Sequence, residues 1–272
     1  MNGLSTAGSW TVEDYASLRA AAGLLEDRSF AMNLAAKVGM PVESLMRMLP
    51  EGAQHSIGTA VNKALEQCLR VALTINRTGV STKRSRRRHT LTTAATGALG
   101  GFFGLPGLVV ELPVTTTVML YSIAEIARSQ GEDLSDPDAA LACLEVLALG
   151  PEGAQKGVME SAYYATRAAL AQVTRDAAAY VAQKGLVKEG APVMVSFLAK
   201  IAARFGLEVS EKAAAQLIPV AGAAGGLALN VLFMKHFQRL AEGHFMVRRL
   251  ERKYGSEAVR AEYEAVRGAV RA

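Results

Sequence analysis

Two long stretches without Asp, Glu, Lys or Arg limit what this chain can fold into more than any other feature of its sequence. Residues 89–110 and 213–234 each span 22 positions. Either stretch is long enough to cross the hydrocarbon core of a bilayer, which needs about 20 mainly apolar residues. Both are diluted with Gly, Thr, Pro or Asn, so each has a composition between that of a membrane span and that of a buried core helix. The sequence leaves both outcomes open.

Glycine spacing and proline positions indicate how the two stretches fold. Gly97 and Gly101 lie four positions apart, which leaves one helix face bare and lets another backbone approach closely. Pro106 in the first stretch and Pro219 in the second each remove a helical hydrogen bond. We therefore predict two apolar helical hairpins, interrupted by glycine and proline and packed together. The residues predicted to pack these helices or to line a ligand pocket are Gly97, Gly101, Gly104, Pro106, Gly107, Glu111, Pro113, Pro219, Gly222, Gly225, Gly226, Asn230, His244 and Arg248.

The overall composition favours helices. Half of the 272 residues are hydrophobic, whereas aromatic residues make up 6% and only eight residues are proline. This composition suits packed helices better than sheets. No segment of useful length alternates between apolar and polar residues, as a half-buried strand would. The sequence therefore predicts an all-α multi-helix bundle, whose net charge of +5 permits an anionic partner without requiring one.

Local signals mark where several helices begin. Thr11 followed by Asp14 resembles a capping box and predicts a helix over residues 11–27. Asp136 before Pro137 predicts a second start, with an N-cap followed by proline at the first helical position. Apolar spacing predicts further helices over residues 55–78, 152–184 and 192–205, one from the second uncharged stretch to Gly255, and a charged one after it.

A dense cationic cluster precedes the first uncharged stretch. It consists of Lys83, Arg84, Arg86, Arg87 and Arg88. Three interpretations are open: a solvated loop, a patch for anionic lipid and a patch for nucleic acid. Nucleic acid is the least favoured, because aromatic residues for base stacking are missing around the cluster. At about 1 kcal/mol per cation, an anionic leaflet would bind the cluster with up to roughly 5 kcal/mol, enough for reversible attachment.

Glu111 is the most unusual single residue, because it follows the first uncharged stretch and precedes another apolar run. An isolated buried carboxylate costs several kcal/mol unless it is paired. Glu111 is expected either to cap a helix that starts near Pro113 or to pair with an arginine such as Arg248. The alternative is a proton-binding or ligand-binding carboxylate with a raised pKa. Asn230 interrupts the second stretch in a similar way, and we expect it to hold two helices in register rather than to bind a ligand.

The sequence lacks the motifs of several kinds of metal, nucleotide-binding and catalytic site. His236 and His244, eight residues apart on one helix, would point about 80° apart, so they do not predict a shared metal site. The glycines form neither a P-loop nor a dinucleotide-binding motif, and no GxSxG frame is present. Cys68 and Cys143 form neither a disulfide framework nor a CxxC pair. We therefore predict no metal, no cofactor and no recognisable catalytic residue. The N-terminus lacks a secretory signal pattern, so the expected location is the cytoplasm, with docking at the inner face of the cell membrane.

Several blocks of the sequence resemble the EcsC protein family. They are GLPGLVVELPVTT at 104–116, EIARSQGEDL at 125–134, LACLEVLALG at 141–150, the IP, GG and Asn pattern of 218–230, and HFMVRRLERKYG at 244–255. The resemblance extends from about Leu65 to Tyr263. The family is mainly bacterial, is named for a protein encoded beside an ABC transporter, and has no established molecular role. The resemblance therefore implies a membrane-transport or secretion context rather than an activity.

From the resemblance we predict an N-terminal helical extension over residues 1–60 and an EcsC-like helical domain over residues 61–272. Three functional classes stay open. The favoured one is a non-catalytic cytoplasmic protein that associates peripherally with the membrane or with an ABC-type transporter or secretion system. The second is a soluble bundle that binds a lipid or other apolar ligand near Glu111 and Asn230. The third is a hydrolase-like enzyme of unrecognised type, in which Glu111, Arg248 or a histidine would converge in one cleft.

Overall fold

A computed structural model describes residues 10–26, 30, 39, 41–74, 107, 110–150, 161–184, 191–217 and 222–271, with backbone only at 222–227 and 269–271. Across these ranges the chain is all-α and contains no strand, as the composition predicts. The helices are α1 (Val12–Leu25), α2 (Val42–Met46), α3 (Ala53–Thr74), α4 (Val110–Ser129), α5 (Pro137–Glu145), α6 (Ala162–Lys184), α7 (Pro192–Gln216), α8 (Gly222–Tyr254) and α9 (Ser256–Arg271), with a 3₁₀ turn at Val146–Ala148. They pack as a multi-helix bundle around one hydrophobic core.

The two helix starts predicted from capping signals are confirmed. Thr11 is the N-cap of α1, where its Oγ1 accepts a hydrogen bond from the backbone N–H of Asp14 at 3.2 Å. Asp136 is the N-cap of α5, and its Oδ1 accepts from the backbone N–H of Asp138 at 3.0 Å. Each side chain thereby satisfies one of the amide donors that a helix N-terminus leaves unpaired.

Helix α7 is longer than predicted. The sequence predicts a short apolar helix over residues 192–205, yet the helix continues past Gly206 to Gln216. The buried positions Ile201, Phe205, Val209 and Ala213 recur every four residues across the glycine, and this apolar face keeps the chain helical. The helix predicted over 152–184 instead begins at Ala162 as α6, because Ser161 is not helical and its Oγ accepts a hydrogen bond from the backbone N–H of Tyr164 at 3.1 Å; residues 152–160 lie outside the described residues.

Helices α7 and α8 form an antiparallel hairpin. The rings of Phe205 and Phe237 lie 5.7 Å apart, and Glu208 Oε1 lies 3.7 Å from His236 Nε2. Residues later in α7 thus contact residues earlier in α8, as antiparallel helices do. The hairpin predicted for the second uncharged stretch is confirmed, with its connection, including Pro219, outside the described residues. Most of the first stretch also lies outside them.

Helix α1 packs closely across α8. A Cβ atom on Gly243 would lie 2.7 Å from Leu25 Cγ and 3.1 Å from the carbonyl oxygen of Ala21. Only glycine fits this crossing without displacement, because real Cβ atoms do not approach carbon so closely. Helix α9 packs on both α1 and α8, so the N-terminal helix shares the core of the bundle. The division of the chain at residue 60 stays a prediction.

Candidate functional site

Three buried polar side chains meet where α4, α7 and α8 come together. Glu111 Oε1 accepts hydrogen bonds from Lys212 Nζ at 2.9 Å and from Asn230 Nδ2 at 2.7 Å. Glu111 is 6% exposed, and the other two residues are completely buried. We call this set the Glu111 cluster. It ties α4, which begins at the last residue of the first uncharged stretch, to both helices of the hairpin.

Burial dominates the electrostatics of the Glu111 cluster. Desolvation lowers the pKa of Lys212, and the negative charge of Glu111 opposes that shift. Lys212 Nζ also lies 5.1 Å from the ring centroid of Phe233, where the ring face attracts the cation. Among the described residues, Glu111 Oε2 and Thr115 Oγ1 have no hydrogen-bond partner. The Glu111 cluster is therefore a buried ion pair beside which two oxygen atoms could still form hydrogen bonds.

The two expected structural roles of Glu111 are corrected. Arg248 is not its partner, because the two nitrogen donors to Glu111 come from Lys212 and Asn230, and Asn230 lies 18 residues from Arg248 on α8, or about 27 Å along the helix. Glu111 is not a cap before Pro113 either, since both residues already lie within α4. Asn230 does link two helices through its hydrogen bond.

Exposed apolar side chains stand beside the Glu111 cluster. Val110 is 74% exposed and Val114 is 43% exposed. They lie four residues apart and therefore share one face of α4. By length and composition α4 could cross a bilayer, with a mean hydropathy of 1.2, but 67% of that window is buried inside the bundle, as in a core helix. The start of α4 thus carries a buried ion pair on its inner side and an apolar face toward the outside of the bundle.

A polar cleft of about 490 Å³ lies toward the other end of α8. Sequence reasoning did not find it, because its walls come from α5, α6, α8 and α9, which are far apart in the chain. Its lining is polar and of mixed charge, with small side chains on α6. The lining residues are Asp138, Glu145, Tyr164, Arg167, Ala168, Ala171, Thr174, Arg175, Arg248, Glu251, Ser256, Glu257 and Arg260.

Arg248 belongs to this polar cleft. Its guanidinium donates to Glu132 at 3.1 and 3.2 Å and to Asp138 at 3.0 Å. Arg252 also donates to Glu132. These bonds join the loop before α5 to the last turns of α8, and they hold the Arg248 guanidinium in the wall of the cleft.

The sequence profile of the EcsC protein family matches residues 25–250. The chain belongs to the EcsC protein family. No curated protein and no solved structure matches the chain. The EcsC match includes the whole Glu111 cluster and the α5 and α6 walls of the polar cleft, whereas the α9 wall lies beyond its end.

Other residues singled out in the EcsC sequence fall in several places. Gly107 and Pro113 are helical, and Gly222, Gly225 and Gly226 lie in the first turns of α8. The residues that lie outside the described part of the chain are Lys83, Arg84, Arg86, Arg87, Arg88, Gly97, Gly101, Gly104, Pro106 and Pro219. For these the predictions stand as made.

The two histidines of this EcsC protein are separate. His244 is fully buried, and its Nδ1 shares a hydrogen bond of 3.0 Å with Tyr163 Oη. Burial, and then the positive charges of Arg167 and Arg248, lower the pKa of His244 well below 6.5. His236 instead faces Glu208. Within the described ranges, no group of three or more His, Cys, Asp or Glu side chains could hold a metal ion.

The enzyme hypothesis required Glu111, Arg248 or a histidine to converge in one cleft. Arg248 lines the polar cleft and His244 is one helical turn away, but Glu111 lies near the opposite end of α8. The separation of Glu111 from Arg248 argues against a catalytic constellation that uses both.

Proposed function

We propose that this EcsC protein is a non-catalytic cytoplasmic helical protein that associates peripherally with the anionic inner face of the cell membrane. The observation that carries the proposal is the exposure of Val110 and Val114 on one face of α4. Val110 is the last residue of the first uncharged stretch and Val114 lies four positions further on, and the stretch itself follows the cationic cluster. Cations next to apolar residues are the two components of interfacial docking.

The Glu111 cluster supports the proposal by fixing the direction of this apolar face. Glu111 lies between the two exposed valines in sequence, and its bonds to Lys212 and Asn230 orient the start of α4 relative to α7 and α8. Side chains held in this way lose little conformational entropy when they enter a lipid interface. The buried contacts of the Glu111 cluster therefore hold the exposed valines in a fixed direction before any lipid is bound.

The energies are of the right size for reversible attachment. Completing the burial of the two partly exposed valines is worth about 2 kcal/mol. The cationic cluster adds up to roughly 5 kcal/mol at an anionic leaflet, and this second part weakens with salt. Neither component alone is sufficient for firm binding, so we expect the valines to strengthen an attachment that depends first on the cations.

Sedimentation with liposomes tests the proposal. Wild-type protein is expected to bind vesicles that contain anionic lipid at low salt, and to be released at high salt or from neutral vesicles. Changing the five residues of the cationic cluster to Gln should abolish binding. Val110→Ser with Val114→Ser should weaken it about tenfold or more, which corresponds to the loss of roughly 1.4–2 kcal/mol.

A matched control separates a specific face from general hydrophobicity. Val195 on α7 is 54% exposed, so Val195→Ser removes a similar apolar surface elsewhere on the bundle. This variant should bind like wild type. Absence of binding to both kinds of vesicle would overturn the membrane proposal and leave a transporter subunit as the partner to test. Salt-resistant binding would instead mean that the uncharged stretches insert.

A second candidate function is the binding of a lipid or other apolar ligand beside Glu111 and Asn230. The observation in its favour is that Glu111 Oε2 and Thr115 Oγ1, four residues apart on α4, are buried without a hydrogen-bond partner among the described residues. A polar head group could bond both atoms. Native mass spectrometry of the purified protein tests this: a bound lipid that is lost in Thr115→Val would favour the ligand, and a bare protein would reject it.

A further inference from the structure

The polar cleft has the size of a binding site for a small molecule. Its volume of about 490 Å³ falls within the range of ordinary ligand pockets, roughly 300–1,000 Å³. It lies near the C-terminal end of α8, whereas the Glu111 cluster and the exposed valines lie near the start of that helix. A ligand in the cleft would therefore use other residues than the proposed membrane attachment.

One face of α6 gives the cleft a small apolar surface. Ala168, Ala171 and Arg175 recur at spacings of three and four residues, so they lie along one face of the helix. Arg175 is about 10 Å along the helix from Ala168. The two alanines offer methyl groups and no side-chain hydrogen-bonding atoms. This part of the cleft can therefore accept a short hydrocarbon chain.

Glu145 is a buried acid at the end of the cleft where Thr174 and Arg175 lie. It is 7% exposed, and the hydroxyl of Thr174 donates to its Oε1. Among the described residues no ion pair joins Glu145 to a cation. A carboxyl group has more hydrogen-bonding capacity than one hydroxyl partner uses. Because Glu145 lines the cleft, a ligand there can form a further hydrogen bond with it.

Burial favours the neutral form of Glu145. Desolvation raises its pKa, and the hydrogen bond from Thr174 opposes that rise. The charged groups that act on it are Arg167 on α6 and Arg248 on α8, which lower the pKa, and Asp138 on α5, which raises it. A neutral carboxyl group donates an O–H, whereas an ionised one only accepts. Glu145 is thus suited to donate a hydrogen bond to an acceptor in the cleft.

The arginine closest in sequence to Thr174 lacks an acidic partner among the described residues. Arg175 is exposed and donates to the neutral amide oxygen of Gln172 at 2.8 Å. Arg167, in contrast, donates both terminal nitrogens to Glu251, at 2.6 and 2.9 Å. The charge of Arg175 is therefore available to an anion in the cleft. A cation at the same end would be repelled by it.

We propose that the polar cleft binds a short-chain aliphatic carboxylic acid, with its carboxylate between Glu145 and Arg175 and its hydrocarbon chain along Ala171 and Ala168. Glu145 donates a hydrogen bond to one oxygen of the ligand, and Arg175 donates to the other. Both groups lie at one end of the cleft, as a single carboxylate requires. The ligand and Glu145 then share one proton, which is taken up from solvent when both were ionised before binding.

Isothermal titration calorimetry at low ionic strength tests the proposal with butanoate, hexanoate and octanoate. For each carboxylate, the primary amine and the alcohol of the same chain length serve as matched probes with a cationic and a neutral head group. At least one carboxylate is expected to bind more tightly than its matched amine and alcohol, by about tenfold or more. Heat from none of the carboxylates, or the absence of any such preference, would overturn the proposal.

Proton uptake separates a shared proton from a simple ion pair with Arg175. Above the pKa values of free Glu145 and of the ligand, binding should take up about one proton, and the affinity should fall about tenfold per pH unit. Glu145→Gln supplies an amide N–H that donates at any pH, so this variant should still bind the carboxylate without that fall in affinity. Affinity of the wild type that is independent of pH over this range, or loss of binding in a folded Glu145→Gln, would contradict the role of Glu145.

Two more variants test the other contacts. Arg175→Gln should lower the affinity for the carboxylate about tenfold or more at every pH, and because Arg175 is exposed, this variant stays informative even if Glu145→Gln fails to fold. Ala171→Leu should block the chain. The matched controls are Arg47→Gln and Ala179→Leu, at exposed positions outside the described lining of the cleft, and both should bind like wild type. Unchanged affinity in Arg175→Gln or in Ala171→Leu would overturn the proposed position of the ligand.

Discussion

The crossing of α1 over α8 gives the sharpest test of how this bundle is packed. At Gly243 an added Cβ atom would lie 2.7 Å from Leu25 Cγ and 3.1 Å from the carbonyl oxygen of Ala21. At Gly206, inside α7, an added Cβ would meet no atom within 4 Å. Both positions are helical, so Gly→Ala changes the backbone propensity alike at each. The two substitutions differ only in the space around them.

The expected signs are opposite. Gly→Ala in a helix interior stabilises by roughly 0.5–1 kcal/mol, because alanine loses less backbone entropy on folding. Gly206→Ala should gain this amount. At Gly243 the same gain is offset by overpacking, which costs about 1–3 kcal/mol when side chains and backbone must shift. Gly243→Ala should therefore lower the free energy of unfolding by about 1 kcal/mol.

A double-mutant cycle identifies the cause. Leu25→Ala removes the side-chain atoms nearest to the new methyl group and leaves the carbonyl oxygen of Ala21 at 3.1 Å, at its own cost of about 2–5 kcal/mol for a truncated core leucine. In that background Gly243→Ala should cost little or nothing, which gives a favourable coupling energy of about 1 kcal/mol. Urea unfolding followed by far-UV circular dichroism measures all four proteins. If Gly243→Ala stabilises wild type as much as Gly206→Ala does, the close crossing is refuted.

Three further perturbations test two sets of buried polar groups and one helix cap. Because the folded pKa of His244 lies well below 6.5, the unfolded state binds the extra proton. Stability should therefore be complete above pH 6.5 and fall by about 1.4 kcal/mol at pH 5.5, a loss absent from His244→Gln in pH-dependent urea unfolding. Glu111→Gln or Lys212→Met alone should destabilise by about 3–5 kcal/mol, whereas the double variant should recover most of that loss, measured in the same way. Asp136→Ala should cost about 1 kcal/mol by thermal unfolding, since it removes the α5 cap, and Asp136→Asn should restore stability.

The parts of the fold that sequence predicts are those set by neighbouring residues. Thr11 and Asp136 cap their helices through hydrogen bonds spanning two or three positions, so a short segment contains the whole signal. The hairpin of α7 and α8 follows from a local break in a long apolar run. The end of α7 is not predictable in this way, because Gly206 weakens helix propensity and only packing of the later apolar residues overrides it.

The partner of Glu111 shows why the sites were harder to predict than the helices. Lys212 follows Glu211 in a segment that reads as a solvated helix surface, yet its side chain is completely buried. Arg248 offered an equally suitable charge and lies at the wrong end of α8. The cation that pairs with Glu111 is the one that the packing register of α7 and α8 against α4 places beside it. That register is set by tertiary contacts and not by the local sequence. The polar cleft raises the same difficulty, since Thr174 and Glu145 are brought together from two helices.

The arrangement of the two sites along α8 predicts what membrane docking would do to each. This helix has 33 residues and is therefore about 50 Å long. Cys68 and Cys143 are buried, and burial raises the pKa of each thiol to about 12, so single cysteines introduced at Val114 or Ser256 can be labelled selectively with a polarity-sensitive dye. Anionic vesicles should shift the emission of the dye at position 114 toward that of an apolar environment and leave the dye at position 256, beside the polar cleft, unchanged. Equal shifts at both positions would mean that α8 lies flat on the membrane and covers the cleft, whereas a shift confined to position 256 would place the docking face at the wrong end of the bundle.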